Sequence, residues 1–175
     1  VGQPLRVGDR PDPTPAPDEV VLRGAACGIC GSDLHMSLDP EPFGIAGDFV
    51  FGHEIAGEVV ATGGGVDMLK AGDLVAVVPM RGCGHCPRCL AGDPARCPDM
   101  TLIGGGYADY VCVAARQCRV LPEGVAASDA ALAEPLSVAL HCIVRSGMKP
   151  GDRVAILGAG PIGLLVAFWA RRLGA

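Results

Sequence analysis

The sequence predicts a mainly β domain followed by the opening of an α/β domain, and three observations carry that expectation. Short β-rich runs recur at 19–26, 54–61, 74–78 and 107–120, separated by turns such as Gly63-Gly64-Gly65 and Gly72-Asp73. Near Ser128 the pattern shifts to helical spacing. Past Pro150 a strand-like apolar run meets a glycine-rich turn and then an apolar helix.

Taken in order, residues 1–18 hold Pro11, Pro13, Pro15 and Pro17 and read as an extended lead-in. The short strands that follow suit a small barrel or an irregular antiparallel sheet. Ser128 is placed to cap a helix over 129–133, and Pro135 suits the first turn of a second helix that Gly147 ends. After the Pro150-Gly151-Asp152 turn, 153–157 reads as a buried strand and 162–173 as an apolar helix. The expected division is a first domain over 1–148 and the first β–α unit of a second, truncated domain over 149–175.

Composition narrows the function classes. Hydrophobic residues make up 50% of the 175, so the chain has the material for a core, and an aromatic share of 4% leaves that core to Val, Leu, Ile and Ala. A net charge of −5 with no basic stripe argues against nucleic acid and anionic membrane as partners. No unbroken apolar run reaches the roughly eighteen residues that span a bilayer. The chain does not begin with Met and is expected to be a fragment. Nine cysteines are an odd number for full pairing, which favours a reducing cytoplasm over a secreted disulfide scaffold.

Four of the thiols, Cys83, Cys86, Cys89 and Cys97, fall within fifteen residues (83–97). Zinc takes four soft ligands at tetrahedral corners, and Gly84, Pro87 and Gly92 let the backbone turn tightly enough to gather them. The spacing predicts one structural zinc. His85 lies among them, but four thiolates already close the shell.

A second set is dispersed. Cys27-Gly28-Ile29-Cys30-Gly31-Ser32-Asp33-Leu34-His35 forms one piece and Gly52-His53-Glu54 another. A catalytic zinc takes three protein ligands and keeps one position open, and Cys30, His53 and a carboxylate would meet that need. These pieces, the cysteine lobe and Ala133-Glu134-Pro135-Leu136 together resemble the zinc-dependent medium-chain dehydrogenase/reductase family, in particular its polyol and threonine dehydrogenase branch. The resemblance covers nearly the whole chain. It implies a chaperonin-10-like (GroES-like) β-barrel carrying two zinc ions, followed by a Rossmann domain. It also implies that Cys30 and His53 are catalytic zinc ligands, with Glu54 and Glu134 both approaching the metal and the inner one of the two left open. Asp33 matches an acceptor that orients a zinc-bound imidazole. Ser32 matches a hydroxyl proton relay and His35 the imidazole that passes the proton onward.

Gly158-Ala159-Gly160-Pro161-Ile162-Gly163 fits the dinucleotide fingerprint in its required setting between a strand and a helix. Gly158 permits the turn, Gly160 a close phosphate, and Gly163 helix–strand packing, with Pro161 and Ile162 opening the helix beneath the phosphates. The acidic residue that would choose between NAD and NADP is expected beyond Ala175. The expected activity is hydride transfer between an alcohol or polyol and NAD(P), in a full-length homodimer or homotetramer. The competing expectations are a family member with different reductase chemistry and a zinc-stabilised, non-catalytic binding module.

Overall fold

The computed structural model describes residues 5–45 and 47–175, so the first four residues of the expected lead-in lie outside the described residues. Among the described residues seven strands form: β1 (Glu19–Gly28), β2 (Glu54–Thr62), β3 (Leu74–Val77), β4 (Met80–Arg81), β5 (Thr101–Leu102), β6 (Tyr110–Ala114) and β7 (Cys118–Val120). Helices are α1 (Gly31–Leu38), α2 (Pro87–Leu90), α3 (Ala127–Ala130), α4 (Ala133–Ser146) and α5 (Pro161–Arg172). The chain divides into two compact units, one running up to Ala131 and the other Leu132–Ala175. The expected boundary at 148/149 lies further along the chain.

In the first unit, five strands pair antiparallel in the order β6-β1-β2-β3-β7, and β4 pairs with β5 as a separate ribbon. The sheet must curl. β6 and β7 are its opposite edges, yet only the short 3₁₀ turn Ala115–Gln117 joins them. Four Cα steps reach about 14 Å at most, whereas the edges of a flat five-stranded sheet stand about 19 Å apart. Gln117 fastens the closure: its side-chain amide donates to the Val78 carbonyl at 2.9 Å, and its own carbonyl accepts from the Val78 N–H at 2.8 Å. The single β-rich run expected over 107–120 is broken at this corner into β6 and β7.

Inside the curl lies an aliphatic core of Val20, Leu22, Ile55, Val59, Val75, Val77, Val111 and Val113, all buried. Alternate residues of β1 supply it, as a half-buried strand requires. On the other face Ala130 and Ala131 pack on Ala56 and Ala76. Small residues there let α3 lie close to the sheet.

In the second unit α4 ends at Gly147, whose φ of 71° is the left-handed cap expected from the sequence. The α5 indole of Trp169 donates to the Leu136 carbonyl of α4 at 2.9 Å. Residues 153–157, expected as a strand, enter no ladder. A parallel strand finds its partner only through a crossover of about a dozen residues or more, and this sequence reaches Ala175 directly after α5. No parallel sheet is present among the described residues, so of the expected Rossmann unit only the turn and the helix form. Ile162, Leu164 and Phe168 of α5 are exposed.

The stretch Ala127–Ser146 is, by length and a mean hydropathy of 1.2, apolar enough to cross a bilayer, although it holds no unbroken apolar run of that length. It is two helices broken at Ala131–Leu132, and it carries Asp129, Glu134 and Arg145, which a bilayer interior penalises.

Leu22 is fully buried at the centre of the curl. Leu22→Ala is expected to cost about 2–5 kcal/mol, read as a lowered urea midpoint.

Candidate metal centres and nucleotide turn

The lobe at 83–97 is built by its own backbone. The N–H of Cys83 donates to Cys97 Sγ at 3.3 Å, that of Cys86 to Cys83 Sγ at 3.3 Å, and that of Cys89 to Cys86 Sγ at 3.5 Å. Such donors stabilise thiolates. The four Sγ atoms lie within 4.8 Å of one another, with Cys83 and Cys89 4.0 Å apart. Tetrahedral zinc with bonds of about 2.3 Å needs sulfurs about 3.8 Å apart, so the set fits the ion. All nine cysteines are free, which excludes the disulfide reading in this structure. His85 turns its Nδ1 to the Cys83 carbonyl at 3.1 Å and stays out of the cluster.

Charge points the same way. The N–H groups of His85 and Cys86 pull the Cys83 thiol down to about 6. The Gly84 N–H also lowers Cys89, yet desolvation and the thiols of Cys86, Cys97 and Cys83 push it up to about 11. Four thiolates so close cannot ionise together without a cation among them. Contacts flanking the lobe anchor its entry near the start of β1: Arg81 meets Glu19 at 2.7 Å, and Arg116 meets Asp18 at 2.9 Å while donating to the Gly82 carbonyl at 2.7 Å.

A second cluster unites residues far apart in sequence. Cys30, His53 and Glu54 bring one ligand atom each within 4.8 Å of one another. Strand register places them. Gly28, at the end of β1, pairs with Glu54 at the start of β2, so Cys30 and His53 lie just outside the last rungs. A Cβ on Gly28 would overlap the Glu54 carboxylate, so that position makes room for the side chain. Burial pushes the Glu54 carboxyl up, with His53 opposing and Asp33 adding to the rise.

Asp33 ties these elements together. It is buried in the first turn of α1, takes three donors and faces one imidazole. Oδ2 accepts from the Cys30 N–H at 3.0 Å and the Tyr107 hydroxyl at 2.8 Å; Oδ1 faces His53 Nδ1 at 3.3 Å and the Gly52 N–H at 3.4 Å. With Nδ1 so engaged, Nε2 is the imidazole nitrogen left to meet a metal. Tyr107 is a site residue that the sequence does not single out: there it only opens the β-rich run 107–120, after three glycines. A lone aromatic in such a run carries no sign of its distant partner.

Of the other expected residues, Ser32 is half-buried in the first turn of α1 and His35 exposed in its last turn. Glu134 lies in the first turn of α4, in the second unit, where its carbonyl accepts from the Ser137 hydroxyl at 2.7 Å. In the glycine turn, Gly158 has φ 105° and a Cβ on Gly163 would overlap the Gly158 carbonyl, so both positions require glycine. Gly160 caps α5 and faces open space, with Pro161 and Ile162 as the first helical residues.

Comparison with known proteins adds independent findings. Residues 16–123 match the alcohol dehydrogenase GroES-like domain. Sorbitol dehydrogenase of Bacillus subtilis (strain 168) is 36% identical over 98% of this chain and 50% of its own length. The crystal structure of galactitol-1-phosphate dehydrogenase from Escherichia coli superposes with a TM-score of 0.88 at 37% identity, covering 97% of this chain and 50% of that one. A protein assigned as a zinc-binding dehydrogenase from Sinorhizobium meliloti 1021, solved bound to NADP, gives 0.84 at 39% identity over 93% and 48%. The chain thus spans about half the length of the curated relatives it matches.

Two outcomes are expected. With zinc supplied, alkylation followed by mass spectrometry labels the exposed Cys142 first and spares Cys83, Cys86, Cys89 and Cys97, which become reactive on chelation. In metal-free protein, a Glu54 carboxyl raised above its ordinary value favours folding most at low pH. That contribution fades as pH rises from the ordinary carboxylate range through the folded pKa, and Glu54→Gln removes the slope. Thermal melts at a series of pH values read it directly.

Proposed function

The chain belongs to the alcohol dehydrogenase GroES-like domain family, and from that premise we propose that the whole protein is a zinc-dependent oxidoreductase. It moves a hydride between an alcohol or polyol and NAD or NADP. The observation that carries this reading is the convergence of Cys30, His53 and Glu54, with Asp33 engaging the far side of the imidazole. A closed structural site does not require an open trio with one oriented imidazole; a catalytic one does. The non-catalytic module leaves this trio without a role.

Zinc held by Cys30, His53 and Glu54 supplies a Lewis acid that lowers the pKa of an alcohol hydroxyl. The chain's own groups do the rest. Asp33 holds the His53 ring in place. Ser32, next to Asp33 in the first turn of α1, takes the substrate's hydroxyl proton, and the exposed His35 one turn later hands it to solvent. The turn at Gly158, Gly160 and Gly163 would receive the cofactor pyrophosphate at the α5 N-terminus, where helix-end amides and the dipole favour an anion. Cys83, Cys86, Cys89 and Cys97 hold a second zinc that clips the lobe and takes no part in chemistry.

The domain assignment follows: a catalytic GroES-like domain over 1–148, with 149–175 opening a nucleotide domain. The relatives' names, a sorbitol and a galactitol-1-phosphate dehydrogenase, support a polyol or a related secondary alcohol as substrate. A cytoplasmic homodimer or homotetramer completes the proposal.

The full-length protein is expected to carry two zincs per chain and to reduce NAD or NADP with a panel of secondary alcohols and polyols. Cys30→Ser or His53→Ala should lower kcat/KM by about a hundredfold or more, whereas Cys97→Ser should chiefly lower the melting temperature. Full activity after complete removal of metal would refute the mechanism.

A further inference from the structure

Three N–H groups in a row, those of Gly105, Gly106 and Tyr107, donate to the carbonyls of Val50, Gly52 and Phe51 at 2.8, 2.9 and 3.0 Å. They lash the glycine run to the segment that delivers His53. The Tyr107 ring then lies against Gly52, where a Cβ would come within 2.6 Å of its Cδ1, and Gly52 has φ 87°. Packed this way, the ring reaches past the ligand segment to Asp33. Its hydroxyl makes the shortest of the four contacts to that carboxylate, 2.8 Å at Oδ2. The same oxygen stands 3.1 Å from the carbonyl of Gly28, the residue opposite Glu54 in the β1–β2 ladder.

We propose that Tyr107 is a positioning residue for the Cys30–His53–Glu54 centre, its hydroxyl locking the Asp33 carboxylate so that Oδ1 stays on His53 Nδ1. The inference rests on the metal reading of that trio. A carboxylate turns freely about its last bond unless donors hold both oxygens. Here the Cys30 N–H alone would hold Oδ2 from within the same helical turn. The Tyr107 hydroxyl adds a charge-assisted bond from a distant element, which fixes the plane of the group. Burial, followed by the neighbouring Asp33 charge, raises the phenol well above its ordinary value, so it remains a donor at any pH where the protein works. With its single proton on Asp33, the hydroxyl acts on the framing of two ligands, Cys30 and His53, through that carboxylate.

The test uses the full-length protein with Tyr107→Phe, which keeps the ring and removes the oxygen. Zinc loss to a chelator is followed at each site, together with kcat, KM and the melting temperature. The expected result is roughly tenfold faster release from the Cys30–His53–Glu54 site, unchanged release from the four-thiolate site, and a loss carried by kcat rather than KM. In an Asp33→Asn background the same change should add nothing, because the hydroxyl acts through that carboxylate. Parent-like release in Tyr107→Phe overturns the inference, as does equal loosening of both sites or additive losses in the double variant. If the parent protein binds only the four-thiolate zinc, the metal reading itself fails and takes this inference with it.

Discussion

The buried carboxylate of Asp33 constrains everything around the open cluster. An unpaired carboxylate away from water costs several kcal/mol or more. The fold meets that cost by turning three donors and an imidazole inward from three separate stretches of chain. The Cys30 N–H comes from the end of β1, the Gly52 N–H and the His53 imidazole from the approach to β2, and the Tyr107 hydroxyl from the run before β6. Satisfying one charge thus determines where three segments sit. The side chains those segments carry are the ones that converge in the Cys30–His53–Glu54 cluster.

The two metal clusters show two ways of building a site. The four-thiol lobe is local: its sulfurs receive N–H groups from within the same fifteen-residue loop, and the sheet contributes only moorings through Arg81 and Arg116. It would keep its ligand geometry with little help from the core. The Cys30–His53–Glu54 cluster depends on the register of β1 on β2, since the Gly28–Glu54 rung sets the approach of its ligands. A one-residue slip would turn Glu54 to the opposite face. The buried valines of the curl, which hold that register, are therefore part of the functional apparatus.

Legibility in the sequence followed the same divide. The lobe could be read outright, because a ligand set confined to a short loop leaves its pattern in the spacing. The glycine turn was readable for a related reason: left-handed backbone at Gly158 and the close approach at Gly163 each demand a particular residue locally. The strand at 153–157 did not form as read. A strand is defined by its partner, and apolar composition supplies the propensity without the neighbour. The run at 107–120 was read as continuous because nothing in its composition marks Ala115–Gln117 as the corner where the sheet folds back.

By itself, then, the sequence determined the β-rich class, the four-thiol metal loop, the glycine turn and the candidate pieces of a second site. Tertiary structure alone decided that the sheet curls with β6 and β7 as its edges. It also grouped Glu54 with Cys30 and His53, and laid the Tyr107 hydroxyl on Asp33. The reason is separation along the chain: each of these contacts joins residues whose proximity comes from strand register and closure, and neither leaves a periodic trace in the order of amino acids.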